Sequence, residues 1–173
     1  YTANVSSSNA TVTITAAGLQ ALTDGNTYSL TADVSDVAGN AATQVTSSSF
    51  SVDTSLPTIS AIATSAISWG SSLNAIEDNS DGTVTLTTSG AEDGQTVTIT
   101  LNSATYTANV SSNSATVTIT AAGLQALTDG NIYTLKADVS DVAGNVASQV
   151  TSSSFLYDVS PPTIVISVKE GNN

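Results

Sequence analysis

Apolar and polar residues alternate with period two over much of the chain. Val84 and Leu86, then Val97, Ile99 and Leu101, then Val117 and Ile119 share one side, with threonines between them on the other. Successive side chains of an extended chain point to opposite faces, so these segments predict half-buried antiparallel strands. Tyr133, Leu135, Ala137 and Val139 continue the pattern, with Thr134, Lys136, Asp138 and Ser140 outward. β-branched threonine suits that solvent face. Strands A to G are expected near 58–65 and at 83–88, 95–101, 105–111, 115–120, 131–140 and 146–157. Between E and F, AAGLQAL (Ala121 to Leu127) reads as a short helical turn closed by Asp129-Gly130. Seven such strands predict an all-β fold, an immunoglobulin-like antiparallel β-sandwich. Tyr133 then falls where a tyrosine corner sits, ring inward and hydroxyl bonded back to the E–F connection, with Tyr28 as its counterpart.

The pattern recurs. At an offset of 105 residues, Tyr1 to Ile59 lies on Tyr106 to Ile164 with 11 mismatches in 59 positions. The blocks TVTITAAGLQALTDGN, DVSDVAGN and QVTSSSF repeat unchanged, whereas Thr27/Ile132, Thr31/Lys136 and Leu56/Pro161 differ. A period near 100 residues is too long for a solenoid unit and matches one whole sandwich module. The chain therefore reads as tandem repeats: 1–54 as the C-terminal half of one module, 55–160 as a complete one, and 161–173 as the start of a third. Residues 1–54 carry no opening strands, so their hydrophobic face is expected to be frayed, or complemented by another chain.

Composition narrows the function. Fourteen acidic residues stand against two basic ones, a net charge of −12. That balance makes nucleic acid an improbable partner and leaves no basic cluster to attract anionic lipid. Multivalent cations are the favoured counter-charge. No run approaches the roughly 20 apolar residues that a membrane span needs. Cys, Met and His are absent, which removes disulfides, thiolate or imidazole metal sites and His-dependent catalysis. Adjacent carboxylates such as Glu92 and Asp93 do not flank a substrate cleft, and the many serines have no imidazole base, so an enzyme is not expected. Trp69 lies in the A–B region with no Cys pair beside it, unlike antibody domains. Its ring is expected at the edge of the core, with sugar stacking as the alternative.

The carboxylates sort onto the two ends of the module. In this topology the B–C and F–G loops lie where strand A enters. They carry Glu92 and Asp93 in SGAEDGQ, and Asp141 and Asn145 in DVAGN; the incoming linker DTSLPT adds Asp53, and Asp138 is a further candidate. Clustered carboxylates repel unless protonated or neutralised by a cation. Oxygen-only ligands on irregular loops favour calcium (Ca2+) over magnesium. A second candidate is the A–B loop IEDNSDGT, with Glu77, Asp78, Asn79 and Asp81 before Gly82, joined at the exit end by Asp129 and Asp158. The competing reading is that Asp and Asn in these segments simply make turns.

The run DVAGN, followed by SSSF, a DTSLPTI or DVSPPTI linker and a repeat of about a hundred residues, resembles the bacterial Ig-like repeats of giant type-I-secreted, repeats-in-toxin-type adhesins. Biofilm and ice-adhesion proteins of Gram-negative bacteria use such arrays. The resemblance implies an extracellular, cell-surface extender whose linkers are stiffened by calcium, with Asp53, Glu92, Asp93, Asp141 and Asn145 implicated. It also implies that the partners are neighbouring repeats of the same chain, without membrane insertion, and that another domain binds the distal ligand. The alternative is an adhesive module that itself binds glycan, protein or ice through its loops or threonine-rich faces.

Overall fold

A computed structural model describes residues 1–169 of the chain. The last four residues of the segment expected to open a third repeat lie outside them. The chain divides into two compact units, Tyr1–Ser55 and a second beginning at Leu56.

The first unit holds a five-residue helix α1 (Ala16–Gln20) and four two-residue strands, β1 (Thr27–Tyr28), β2 (Thr31–Ala32), β3 (Val45–Thr46) and β4 (Phe50–Ser51). β1 pairs with β4 and β2 with β3, both antiparallel. Helix α1 is short but capped: Thr15 Oγ1 accepts the Gly18 N–H at 3.1 Å, satisfying one of the first-turn amides. None of its apolar side chains is fully buried.

The second unit contains β5 (Thr58–Ile59), β6 (Ser72–Leu73), β7 (Gly82–Ser89), β8 (Thr96–Leu101), β9 (Ala104–Asn109), β10 (Ser114–Ile119), α2 (Ala121–Gln125), β11 (Ile132–Tyr133), β12 (Lys136–Asp138), β13 (Val150–Thr151) and β14 (Phe155–Tyr157). One sheet runs β10-β7-β5 and another β13-β12-β8-β9; β11-β14-β6 forms a third ladder. All pairs are antiparallel except β6 with β14. Val84, Leu86 and Val117 from the first sheet meet Val97, Ile99, Leu101 and Leu135 from the facing strands in one buried core. This is an all-β, immunoglobulin-like sandwich, filled by the alternation seen in the sequence.

Three features depart from the simple seven-strand reading. The fourth strand, β9, lies beside the third, whereas constant-type domains place it with the first, second and fifth. The cause is local: Asn102 and Ser103 both have positive φ, 47° and 69°, and a two-residue turn of that kind returns the chain directly alongside itself. Strand F is broken into β11 and β12, because Leu135 N–H between them donates to Ser152 Oγ at 2.9 Å rather than to a backbone carbonyl. Finally, the A–B region supplies the extra strand β6, whose Leu73 is fully buried.

Trp69 is in the core. Its ring meets Phe155 edge-on, with centroids 5.4 Å apart at 72°, and covers Gly82, where a Cβ would run into the indole. The tyrosine corner is formed as expected: Tyr133 Oη accepts the Thr128 N–H at 2.8 Å, and Tyr28 Oη accepts the Thr23 N–H at the same distance.

Pro161 to Lys169 have no regular secondary structure, and Ile164, Val165, Ile166 and Val168 are exposed.

Candidate functional site

The β7–β8 loop and the turn after β12 share one end of the second unit, and a hydrogen bond ties them. Glu92 Oε2 accepts the Val142 N–H at 2.9 Å. Asp93 Oδ1 turns the other way and accepts the Ser112 N–H at 2.8 Å. Asp141 is buried, and both of its oxygens are used by one residue: Oδ1 accepts the Asn145 N–H and Oδ2 the Asn145 side-chain amide, each at 2.8 Å. Burial pushes the Asp141 carboxyl up, but the Asn145 side-chain and backbone bonds, with those from Gly144 and Ala143, outweigh it and hold the group below the usual range. Asp138 is occupied by Gln149, whose Nε2 donates to Oδ1 at 3.0 Å and Oδ2 at 2.9 Å. In the first unit, Asp53 Oδ1 accepts the Ser55 N–H at 3.0 Å.

The second candidate loop is taken up by the fold in a similar way. Glu77 Oε2 accepts the Asn74 N–H at 3.1 Å, and Asp81 Oδ1 accepts the Ala121 N–H at 2.9 Å at the start of α2. Asp158 Oδ1 accepts the Ser160 N–H at 3.2 Å. Asp129 grips the outgoing linker through Val159 N–H at 2.9 Å and Ser160 Oγ at 2.5 Å. Asp78 is buried, with the Tyr157 hydroxyl donating to Oδ2 at 2.8 Å. Sequence reasoning missed Tyr157 as a partner; the signal available was that the first repeat carries Val52 at that position.

The donor set suits a hard cation in kind, being oxygen-only, but not in arrangement. Among the described residues no three carboxylates come together in a group that could hold a metal ion. The repeat explains part of this. In the first unit, Asn40 donates to Asp36 through its backbone and its side chain, each at 2.8 Å, and Gln44 Nε2 contacts both oxygens of Asp33 at 3.0 Å. These bonds are the counterparts of those at Asp141 and Asp138. Asp–Asn bonds of this kind are common turn chemistry.

Among the described residues no helix is long and apolar enough to cross a membrane. No protein-family model matches the sequence, and neither does any curated protein. Solved structures do. The chain is similar to modules of bacterial ice-binding adhesins. A structure from a 1.5-MDa bacterial ice-binding adhesin retained at a host cell surface matches at 29% identity and TM-score 0.43, over 78% of this chain and 43% of its own. A Ca2+-stabilized adhesin that helps an Antarctic bacterium reach out and bind ice matches at 29% identity and TM-score 0.41, over 76% and 31%. A bacterial immunoglobulin-like domain from the Marinomonas primoryensis ice-binding adhesin matches at 28% identity and TM-score 0.38, over 59% of this chain and 94% of that domain. The chain thus spans less than half the length of the first two.

Proposed function

We propose that this chain is a non-enzymatic extender segment of a bacterial cell-surface adhesin, whose work is length and stiffness. The observation that carries the reading is the repeat itself: the closing half of a sandwich module recurs at an offset of 105 residues with its apolar positions, turns and linker preserved. The DVAGN turn and the Asp-x-x-x-Pro linker supply the adhesin setting, and with it an extracellular location.

Calcium enters as the stiffening ion, supported by the charge of −12 and by Glu92 lying one hydrogen bond from the Asp141 turn. In this proposal the ion displaces the Val142 N–H from Glu92 and takes oxygens of both loops, a ligand type that suits calcium. The test is thermal melting and small-angle scattering with calcium, with magnesium and with chelator. A calcium-specific rise in melting temperature and in maximum dimension is expected. Identical curves in all three would remove calcium from the proposal. The spacer role is tested separately with arrays of two, four and six copies of residues 55–160. Their maximum dimension is expected to grow by a constant increment per copy, and a length that levels off would overturn a spacer.

A further inference from the structure

The linker DTSLPT is held at both of its ends. In the first unit Asp24 Oδ1 accepts the Thr54 N–H at 2.6 Å and Oδ2 the Ser55 hydroxyl at 2.7 Å, while Asp53 Oδ1 accepts the Ser55 N–H at 3.0 Å. Val52, just ahead, is pinned by backbone bonds with Gly25 and Asn26. In the second unit Pro57 is buried. It lies so close to Gly90 that a Cβ there would stand 3.3 Å from the Pro57 Cα and 3.8 Å from the Leu56 carbonyl oxygen. Thr58 and Ile59 follow at once in β5, paired with Ser89 and Thr88 of β7.

Little freedom remains between these anchors, because each residue has only two soft torsions. The bonds to the Ser55 N–H and hydroxyl hold the φ side of Ser55. Gly90 backs the Leu56 carbonyl, and Pro57 restricts Leu56 to extended backbone, which together hold its ψ side. What is left is the Ser55–Leu56 step, ψ of the first residue and φ of the second. The Leu56 side chain is exposed and adds no packing that would fix it.

We propose that this single step is the hinge of the linker, bounded by the Asp24 clasp, and that the residue at position 56 sets its stiffness. The repeat supplies the stiff form. Pro161 stands where the first linker has Leu56; its ring fixes φ and pushes Ser160 toward extended backbone, so both torsions of the step are restricted. The clasp tolerates that residue: Asp129 holds the Val159 N–H and the Ser160 hydroxyl directly ahead of Pro161. The Leu56/Pro161 difference therefore alters the step and leaves the clasp unchanged. The hinge is defined by these backbone constraints alone, so it is tested in chelator, separately from the calcium titration.

The full chain has no cysteine, and spin labels at Thr31→Cys and Thr105→Cys, both exposed, report a distance distribution across the linker. Leu56→Pro is expected to narrow it and Leu56→Gly to widen it. Asp24→Ala releases Thr54 and Ser55 and should widen it about 1.7-fold, the square root of three free steps against one. Equal widths with Pro, Leu and Gly at position 56 would overturn the hinge. Amide relaxation gives a local reading: the Leu56 order parameter is expected below those of Thr54, Ser55 and Thr58, and a uniform value across the linker would also overturn the hinge. Because Asp24→Ala can loosen the first unit as a whole, Asp129→Ala tests the clasp where the core is filled. Val159 and Ser160 should lose order while buried Leu135 keeps it, and unchanged order at Val159 and Ser160 would overturn the clasp as the boundary of the hinge.

Discussion

Residues 1–55 and 106–160 are nearly the same sequence in two different environments. The second stretch packs against residues 56–101 and hides Val117, Leu124, Leu135, Val139 and Phe155; the first repeats the same turns and ladders with Val12, Leu19, Leu30, Val34 and Phe50 exposed. What persists without the partner is local. The Thr15 cap, the Ser7–Ser8 turn with φ of 52° and 64°, the Tyr28–Thr23 bond and the Asp36–Asn40 pair all close within a few residues. What is lost is burial between segments far apart in sequence. Hydrogen-bonded turns are thus written into short stretches, whereas the hydrophobic term, at roughly 25 cal/mol per Å², requires both halves of the sandwich.

The sharpest way to break this contrast is to make the same substitution twice. Leu124→Ala should cost about 2–5 kcal/mol in denaturant unfolding of the second unit, because it empties a filled core position. Leu19→Ala should change stability by no more than about 0.5 kcal/mol, as for an exposed site. Equal costs would mean that the first unit buries its leucine after all.

A smaller effect sharpens the comparison at one residue pair. Tyr157→Phe removes the donor to buried Asp78 and should destabilise the second unit by about 1–3 kcal/mol. Burial, then the hydrogen bond and charge of Asp78, push the Tyr157 hydroxyl up to about 12 from 10.0. A raised value means that the folded state holds this proton more tightly. The corresponding stabilisation is complete below pH 10 and is lost as pH climbs toward 12. Melting of the wild type should therefore fall more steeply across that range than melting of Tyr157→Phe. Parallel slopes would detach Tyr157 from the alkaline loss. The first unit, with Val52, contributes nothing to this term.

Much of the fold was legible because its determinants are periodic or local. The alternation at Val97, Ile99 and Leu101 named the buried face of β8, and the AAGLQAL block closed by Asp129-Gly130 named α2. The placement of β9 beside β8 was missed because it depends on backbone angles at Asn102 and Ser103, residues that carry little turn signal beside an NG or DG pair. The candidate site was legible only as composition. Sequence grouped Glu92, Asp93, Asp138 and Asp141 by loop, but the direction each carboxylate faces is decided by nearby N–H donors. Those donors, on Val142, Ser112, Gln149 and Asn145, each occupy carboxylate oxygens, and among the described residues no three carboxylates come together. Asp78 shows the converse: a loop aspartate by pattern, it is held in the interior by a tyrosine 79 positions away.

The smallest predicted effect runs the other way and should be alike in the two regions. Asp24 holds the Thr54 N–H at 2.6 Å and Ser55 Oγ at 2.7 Å, as Asp129 holds Val159 and Ser160. The Thr54 and Ser55 bonds hold the Asp24 carboxyl below its ordinary 3.8, and the Ser160 and Val159 bonds do the same for Asp129. A lowered value means that each clasp is intact above pH 3.8 and weakens as pH falls through the depressed value. An NMR titration of the Thr54 and Val159 amides should therefore show midpoints below 3.8 at both, and Asp24→Asn and Asp129→Asn should abolish the respective steps. The clasp closes over a loop and a linker and touches none of the core that distinguishes the two units. A depressed midpoint at Asp129 alone would mean that even this contact depends on a filled sandwich. The division between what forms locally and what needs the opening half would then have to be drawn closer to the turns.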